Sequence, residues 1–248
     1  MLTKPLLVAF EISNRCNYSR IHTRCPVNPD AEPVFLKTQI IKDSLEYLGS
    51  IGFAGELYFS IYNEPLIDPR FFMLVEFAKK HCPNCRIQLF TNGWNLNQQM
   101  VDELLDLGVG MFMVSAYSLS EEKRLTGLEY KVPSDSRPHP VLRIDLDDRM
   151  GIYDLPPVQT GPCWMPTIYP FVNHRGQFAL CCHDYRYEIV FGDLRHQSFE
   201  DVFKSNIRQD AIQALESGNR VFDICKRCNR AHALNPIEKD LLQPLVRS

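Results

Sequence analysis

Apolar and polar positions along this chain switch between a strand period and a helix period. Residues 6–12 form a short, nearly continuous apolar run and read as a buried strand. Ile41, Leu45 and Leu48 recur at helical spacing within residues 38–50. ELYFSI at 56–61 is strand-like. Asp68 and Pro69 suit an N-cap and a first helical position, and predict a helix running to about Lys80. Residues 86–91 read as the next strand. Residues 97–107 read as a helix with Val101, Leu104 and Leu105 inward and Gly108 as its stop. Residues 111–115 are again strand-like, and Ser118 with Glu121 forms a capping-box pattern before a short helix. Residues 141–144 read as a short fifth strand. This alternation predicts parallel strands joined by right-handed crossovers. The expected fold is α/β: a partial (β/α) barrel of about five strands and four helices, open rather than closed.

The texture then changes. Residues 131–162 are rich in proline and aspartate and read as linker and loop. TIYPFVNHRGQFALCC looks like a hairpin turning at 173–176, residues 196–218 read as a helical segment, and DICKRCNRAHALNP is a cysteine knuckle with a tail. The expected boundary falls near 150–160. A partial barrel would occupy 1–150 and a small cysteine domain 151–248. No internal repeat or low-complexity segment interrupts either part.

Of the 248 residues, 45% are hydrophobic and 23% charged, enough for one large or two small domains with a proper core. The net charge of −3 offers no basic face, so nucleic-acid binding is not expected. No apolar run approaches the roughly 20 residues that span a bilayer, so no membrane partner is expected. The N-terminus lacks a signal-peptide pattern, which predicts a cytoplasmic protein. In that compartment nine cysteines are not expected to form structural disulfides, and grouped thiols are more often ligands. The odd count leaves at least one free.

The grouping is specific. Cys163, Cys181, Cys225 and Cys228 fall late, the last two as C-x-x-C, and supply four thiols. Cys16 and Cys25 sit in the loop after the first strand, and Pro26 follows. Soft thiolates at such spacing select iron–sulfur or zinc, and two groups at opposite ends of the chain predict two sites. On a partial (β/α) barrel, chemistry sits at the C-terminal ends of the strands. SNRCNYSRIHTRCPV follows strand one, YNEPLIDPR strand two, TNG strand three and Ser115 strand four.

SNRCN…CPV, YNEPL, TNG and the late cysteines with RGQFALCCHD and GDL between them carry a resemblance over most of the chain. The chain resembles the radical S-adenosylmethionine (SAM) enzymes with a C-terminal SPASM or Twitch auxiliary-cluster domain. It is similar to an alcohol-oxidising member with a truncated barrel and one auxiliary cluster, at FAGELYF, at DRMGI around Arg149 and in the Cys163–Cys181 spacing.

The resemblance implies two [4Fe–4S] clusters and SAM as cofactors. The first-loop cluster would hold SAM on its open iron. Tyr62, Asn63, Glu64 and Pro65 would stand where the family takes the SAM ammonium. Thr91, Asn92 and Ser115 would contact its carboxylate and ribose. Cys163, Cys181, Cys225 and Cys228 would hold the auxiliary cluster, with Cys181 preferred over Cys182 because Cys181-x-x-Asp184 matches the family's C-x-x-D. Arg149 would contact substrate, the other reading being a surface ion pair with Asp147 or Asp148.

The family's first loop reads C-x-x-x-C-x-x-C, and this one does not. Arg20 and Thr23 stand at the positions counted from Cys16, Arg24 at a usually apolar position, and His22 at the middle position counted back from Cys25. His22 is therefore the candidate third ligand, the other readings being an exposed histidine in a degenerate loop or an engineered motif.

The implied activity is cleavage of SAM to a 5′-deoxyadenosyl radical, which takes hydrogen from an unactivated C–H bond. A hydroxylated small molecule, a cyclitol or sugar, would become a ketone, with the auxiliary cluster taking one electron. A reductase or a flavodoxin or ferredoxin would supply electrons. The rivals are a peptide-modifying enzyme of the same superfamily, a scaffold that has lost SAM cleavage, and a zinc-ribbon protein. Cys82 and Cys85, at the far end of the barrel, read as structural and Cys182 as a spare. His139, His174, His183 and His196 show no partner pattern and read as surface residues.

Overall fold

A computed structural model of the chain describes residues 4–21, 25–130 and 161–228. Four parallel strands, β1 (Leu7–Phe10), β2 (Glu56–Tyr58), β3 (Arg86–Thr91) and β4 (Val109–Val114), alternate with α1 (Thr38–Ser50), α2 (Phe71–His81) and α3 (Gln98–Asp106); α4 (Leu119–Thr126) follows β4. After α5 (Met165–Ile168) come β5 (Phe171–Val172), β6 (Gln177–Ala179) and β7 (Val190–Asp193), then α6 (Phe199–Phe203), α7 (Asn206–Glu216) and α8 (Asp223–Lys226). Among the described residues the strands form one open sheet in the order β4-β3-β2-β1-β5-β6-β7. The late hairpin therefore extends the same sheet: β5 pairs parallel with β1, Ala9 opposite Phe171, and β6 and β7 continue antiparallel. The expected strand at 141–144 lies outside the described residues.

Strand alternation sorts the side chains onto two faces. Val8, Phe10, Ile12, Leu57, Phe59, Ile87, Leu89, Phe112 and Val114 face the helices and join Leu45, Leu48, Leu74, Val75 and Leu104 in the main core. Leu7, Ala9 and Tyr58 turn to the other, concave face and pack with Ile61, Phe90 and Tyr169.

Local signals hold where a side chain satisfies an end. Asn97 caps α3 by accepting from the Met100 N–H at 2.9 Å, Ser118 caps α4, and Gly108 takes φ +91° after α3. Gly176 takes φ +84° in the β5–β6 turn, its N–H bonded to the Asn173 carbonyl at 2.9 Å. Two boundaries shift. α2 starts at Phe71, because Asp68 accepts from the Arg70 backbone and guanidinium after a 3₁₀ turn at Pro65–Ile67. The segment 196–218 breaks into α6 and α7, because Ser205 caps a new helix. Arg70 also donates to the Ile12 and Leu36 carbonyls, tying both ends of the loop after β1 to the start of α2.

Two histidines expected at the surface are buried. His174 reaches a buried carboxylate, and His183 is 6% exposed. His196 is exposed as expected, and His139 lies outside the described residues. Cys82 and Cys85 are buried between α2 and β3; Cys82 donates to the Leu45 carbonyl at 3.2 Å. Burial pushes their thiols up to about 12 and about 11. At pH 8 roughly one Cys85 in a thousand is thiolate. Mass spectrometry of metal-free native protein alkylated at pH 8 should therefore find Cys82 and Cys85 untouched until the protein is unfolded. Rapid labelling of this pair in the native protein would refute their core placement.

Candidate functional site

The C-terminal ends of β1, β2, β3 and β4 bring the first-loop residues together. Glu64 follows β2, is 4% exposed, and binds the neighbouring loops through its carboxylate. Oε1 accepts from Thr91 Oγ1 at 2.6 Å and the Leu66 N–H at 3.1 Å, and Oε2 from the Asn92 N–H at 2.7 Å. Its own N–H donates to the Arg15 carbonyl at 2.9 Å, next to Cys16. Burial raises its carboxyl above the usual range, against the pull of those three donors. Asn92 Nδ2 donates to Asn17 Oδ1 at 2.7 Å and reaches Cys16 Sγ at 4.0 Å. The Cys16 thiol is pushed well up, first by its hydrogen bond with Cys25, then by burial and by the charges of Cys25 and Glu64. Cys16, Cys25, Glu64, Thr91 and Asn92 thus form one cluster, and Ser115, half-buried, joins it by donating its N–H to the Thr91 carbonyl at 2.8 Å. Gly93 takes φ +69° beside Thr91, where a Cβ would strike Leu125 and Val114 at 2.8 Å. Asn63 braces its own loop, bonding the Phe59 carbonyl and the Ile61 N–H, and Pro65 opens the 3₁₀ turn. His22 and Arg149 lie outside the described residues.

The second group gathers around α8. Cys181, Cys225 and Cys228 are buried and Cys163 is half-buried. Cys225 is pushed up to about 12 by burial, then by Cys163, with Cys228 and Asp184 adding. Cys181 is raised by burial and by the neighbouring Cys182 and Cys163. Asp184 accepts the Glu188 and Ile189 N–H groups at 3.0 Å each and donates its own N–H to the Cys181 carbonyl, so it shapes the loop that presents Cys181. Clustered thiols that resist ionisation fit a soft-metal site, whose positive charge would stabilise the thiolates. Among the described residues no three His, Cys, Asp or Glu side chains close on one point as a single tetrahedral ion requires.

The two groups are physically linked. The Tyr62 hydroxyl donates to the Cys182 carbonyl, and the Tyr187 hydroxyl donates to Glu11 Oε2 at 2.6 Å. Tyr187 holds φ +56°, the left-handed region that a bulky side chain rarely adopts. Glu11, Asn17 and Tyr187 were not singled out from sequence. The signal for Glu11 was present: a carboxylate at the end of an apolar strand, in step with Leu7 and Ala9 on the concave face.

Comparison with known proteins agrees with this geometry. The family model described as the radical SAM superfamily matches residues 13–141, and SPASM, an iron–sulfur cluster-binding domain, matches residues 163–229. The S-adenosyl-L-methionine-dependent 2-deoxy-scyllo-inosamine dehydrogenase of Niallia circulans is 25% identical over 232 residues, 90% of this chain and 92% of that protein. An uncharacterized protein of Methanocaldococcus jannaschii is 30% identical over 129 residues, covering 49% of this chain and 38% of its own. The crystal structure of BtrN in complex with AdoMet and 2-DOIA shares the fold at TM-score 0.80 and 24% identity, covering 93% of this chain and 95% of that one. Native anSMEcpe with bound AdoMet matches at TM-score 0.54 and 14% identity, over 90% and 87% of the two chains.

Proposed function

The chain belongs to the radical SAM superfamily, and from that premise we propose that it oxidises a secondary alcohol of a small cyclic polyol to a ketone. The observation that carries this reading is the near full-length likeness to a SAM-dependent cyclitol dehydrogenase, spanning both cysteine groups. When bound, the first [4Fe–4S] cluster supplies the electron that breaks SAM into methionine and a 5′-deoxyadenosyl radical.

The chain's own residues do the rest. Cys16 and Cys25 hold that site, with His22 as the candidate third ligand. Glu64 offers a buried carboxylate to the SAM ammonium, flanked by Tyr62, Asn63 and Pro65. Thr91, Asn92 and Ser115 orient the SAM carboxylate and ribose, and Arg149 binds substrate. Cys163, Cys181, Cys225 and Cys228 hold the auxiliary site that receives the substrate's second electron. A flavodoxin or ferredoxin serves as electron donor. Among the described residues no helix is long and apolar enough to cross a membrane.

The test is SAM cleavage by anaerobically reconstituted protein with dithionite. 5′-Deoxyadenosine above the no-protein control, with ketone formed from 2-deoxy-scyllo-inosamine or a related cyclitol, is the expected result. No 5′-deoxyadenosine from iron-replete protein would refute the activity and favour a scaffold that has lost SAM cleavage.

A further inference from the structure

The concave face carries two buried polar residues, Glu11 and Ser60, at the ends of adjacent strands. Glu11 is 2% exposed. Its Oε2 accepts three bonds, from Tyr187 Oη at 2.6 Å, the His174 N–H at 3.1 Å and His174 Nδ1 at 2.6 Å, while Oε1 accepts none among the described residues. Ser60 is 5% exposed, and among the described residues its Oγ has no hydrogen-bond partner. β1 pairs with β2 in parallel register, Leu7 opposite Glu56 and Ala9 opposite Tyr58. Two residues further on, that register sets Glu11 beside Ser60 on the same face. A buried hydroxyl without a partner costs free energy unless a ligand completes it, and the open carboxylate oxygen beside it is an acceptor for the same ligand. The strained φ of Tyr187 and the loading of Oε2 hold the carboxylate so that Oε1 is the atom left over.

We propose that Glu11 and Ser60 form the hydroxyl-binding pair of the substrate pocket, Ser60 donating to the reacting oxygen and Glu11 Oε1 accepting its proton. This rests on the alcohol-oxidising reading above. The carbon loses a hydrogen atom to the 5′-deoxyadenosyl radical. A carbon radical makes its own O–H far more acidic than in the alcohol, so a carboxylate suffices as base. The O–H proton passes to Glu11, one electron leaves to the auxiliary [4Fe–4S] site, and C=O forms. Glu11 touches substrate and is a catalytic residue; Tyr187 and His174 are positioning residues. His174 also lines a surface groove with Phe35 and Arg175.

The probe is 2-deoxy-scyllo-inosamine, titrated by saturation-transfer NMR into SAM-loaded, reconstituted protein without reductant. Ser60→Ala should bind it about tenfold more weakly, the effect of one good hydrogen bond to a buried oxygen. The same variant, metal-free, should melt at or above the wild-type midpoint, because the hydroxyl it removes has no partner among the described residues. A purely structural Ser60 would lower the midpoint instead. With reductant, Glu11→Gln should release 5′-deoxyadenosine but at least about tenfold less ketone per equivalent, at the low end of general-base contributions. Wild type that does not bind the probe, Ser60→Ala that binds it equally, or Glu11→Gln with a wild-type product ratio would each overturn the pair. Binding is read without turnover, so a wild type that binds but yields no ketone refutes the proposed activity and leaves the binding pair standing.

Discussion

Glu64→Ala is expected to cost about 3–9 kcal/mol of folding free energy and to abolish SAM binding. Three donors, the Thr91 hydroxyl and the Leu66 and Asn92 N–H groups, converge on this one buried carboxylate. Truncation orphans all three in a buried region, at about 1–3 kcal/mol for each donor left unpaired. Such a loss approaches the total stability of a marginal domain, so Glu64→Gln provides the sharper measurement. Glutamine keeps the volume, but its NH₂ must face one of the two backbone N–H groups, a cost of about 1–3 kcal/mol that leaves the protein folded. It also removes the negative charge owed to the SAM ammonium, worth about 1.5–3 kcal/mol, so SAM should bind roughly 10- to 100-fold more weakly.

The pH dependence separates charge from packing. Burial raises the folded-state carboxyl of Glu64 above its unfolded value. The contribution of this group to stability is therefore full below the unfolded pKa and is lost as pH rises through the folded one. Wild type should lose that increment on going from acid toward neutral pH, and Glu64→Gln should not. Denaturant melts of the two metal-free proteins at pH 4 and pH 7 read the difference directly. Equal pH slopes would refute the raised Glu64 carboxyl, and unchanged SAM affinity in the glutamine variant would remove Glu64 from the ammonium site.

Much of this was legible in the chain, for identifiable reasons. The boundaries of α1 and β3, the capped start of α4 and the Gly176 turn follow from side-chain periodicity and local capping, which act within a few residues. The clustering of Cys16, Glu64, Thr91 and Asn92 follows from placing each after a strand of a parallel sheet, because such strands end on one side. What was not legible depends on long-range pairing. Nothing near Phe171 announces that β5 docks beside β1, and that docking buries His174 against Glu11, 163 residues away in sequence. The same docking brings Tyr187 to Glu11. Asp68 looked like the N-cap of α2 but is occupied by Arg70, and propensity gave no reason to prefer that pair over a longer helix.

Cys225→Ser is expected to remove about half of the bound iron and all of the ketone product while leaving 5′-deoxyadenosine release intact. Cys225 is 3% exposed and its thiol is pushed up to about 12, first by burial and then by Cys163. Thiols raised by burial and by neighbouring cysteines resist ionisation in the metal-free protein, and a soft cation would compensate the charge of their thiolates. A serine hydroxyl ionises far less readily and is a hard donor, so the substitution removes one of four ligands without changing the local volume much. Reconstituted wild type should carry about eight irons per chain, four for each [4Fe–4S] cluster, and the variant about four. The first-loop site draws on Cys16 and Cys25, on the other side of the Tyr62–Cys182 contact, and SAM cleavage needs only that site. Substrate radicals formed without an electron acceptor should regain hydrogen or decay, so ketone is lost while 5′-deoxyadenosine accumulates. Cys82→Ser is the matched control, a buried thiol of similar pKa that should leave the iron content unchanged. Iron undiminished in Cys225→Ser would refute the auxiliary assignment. Wild type with about four irons and one equivalent of zinc, the zinc lost in Cys225→Ser, would instead establish the late cysteines as a structural zinc site.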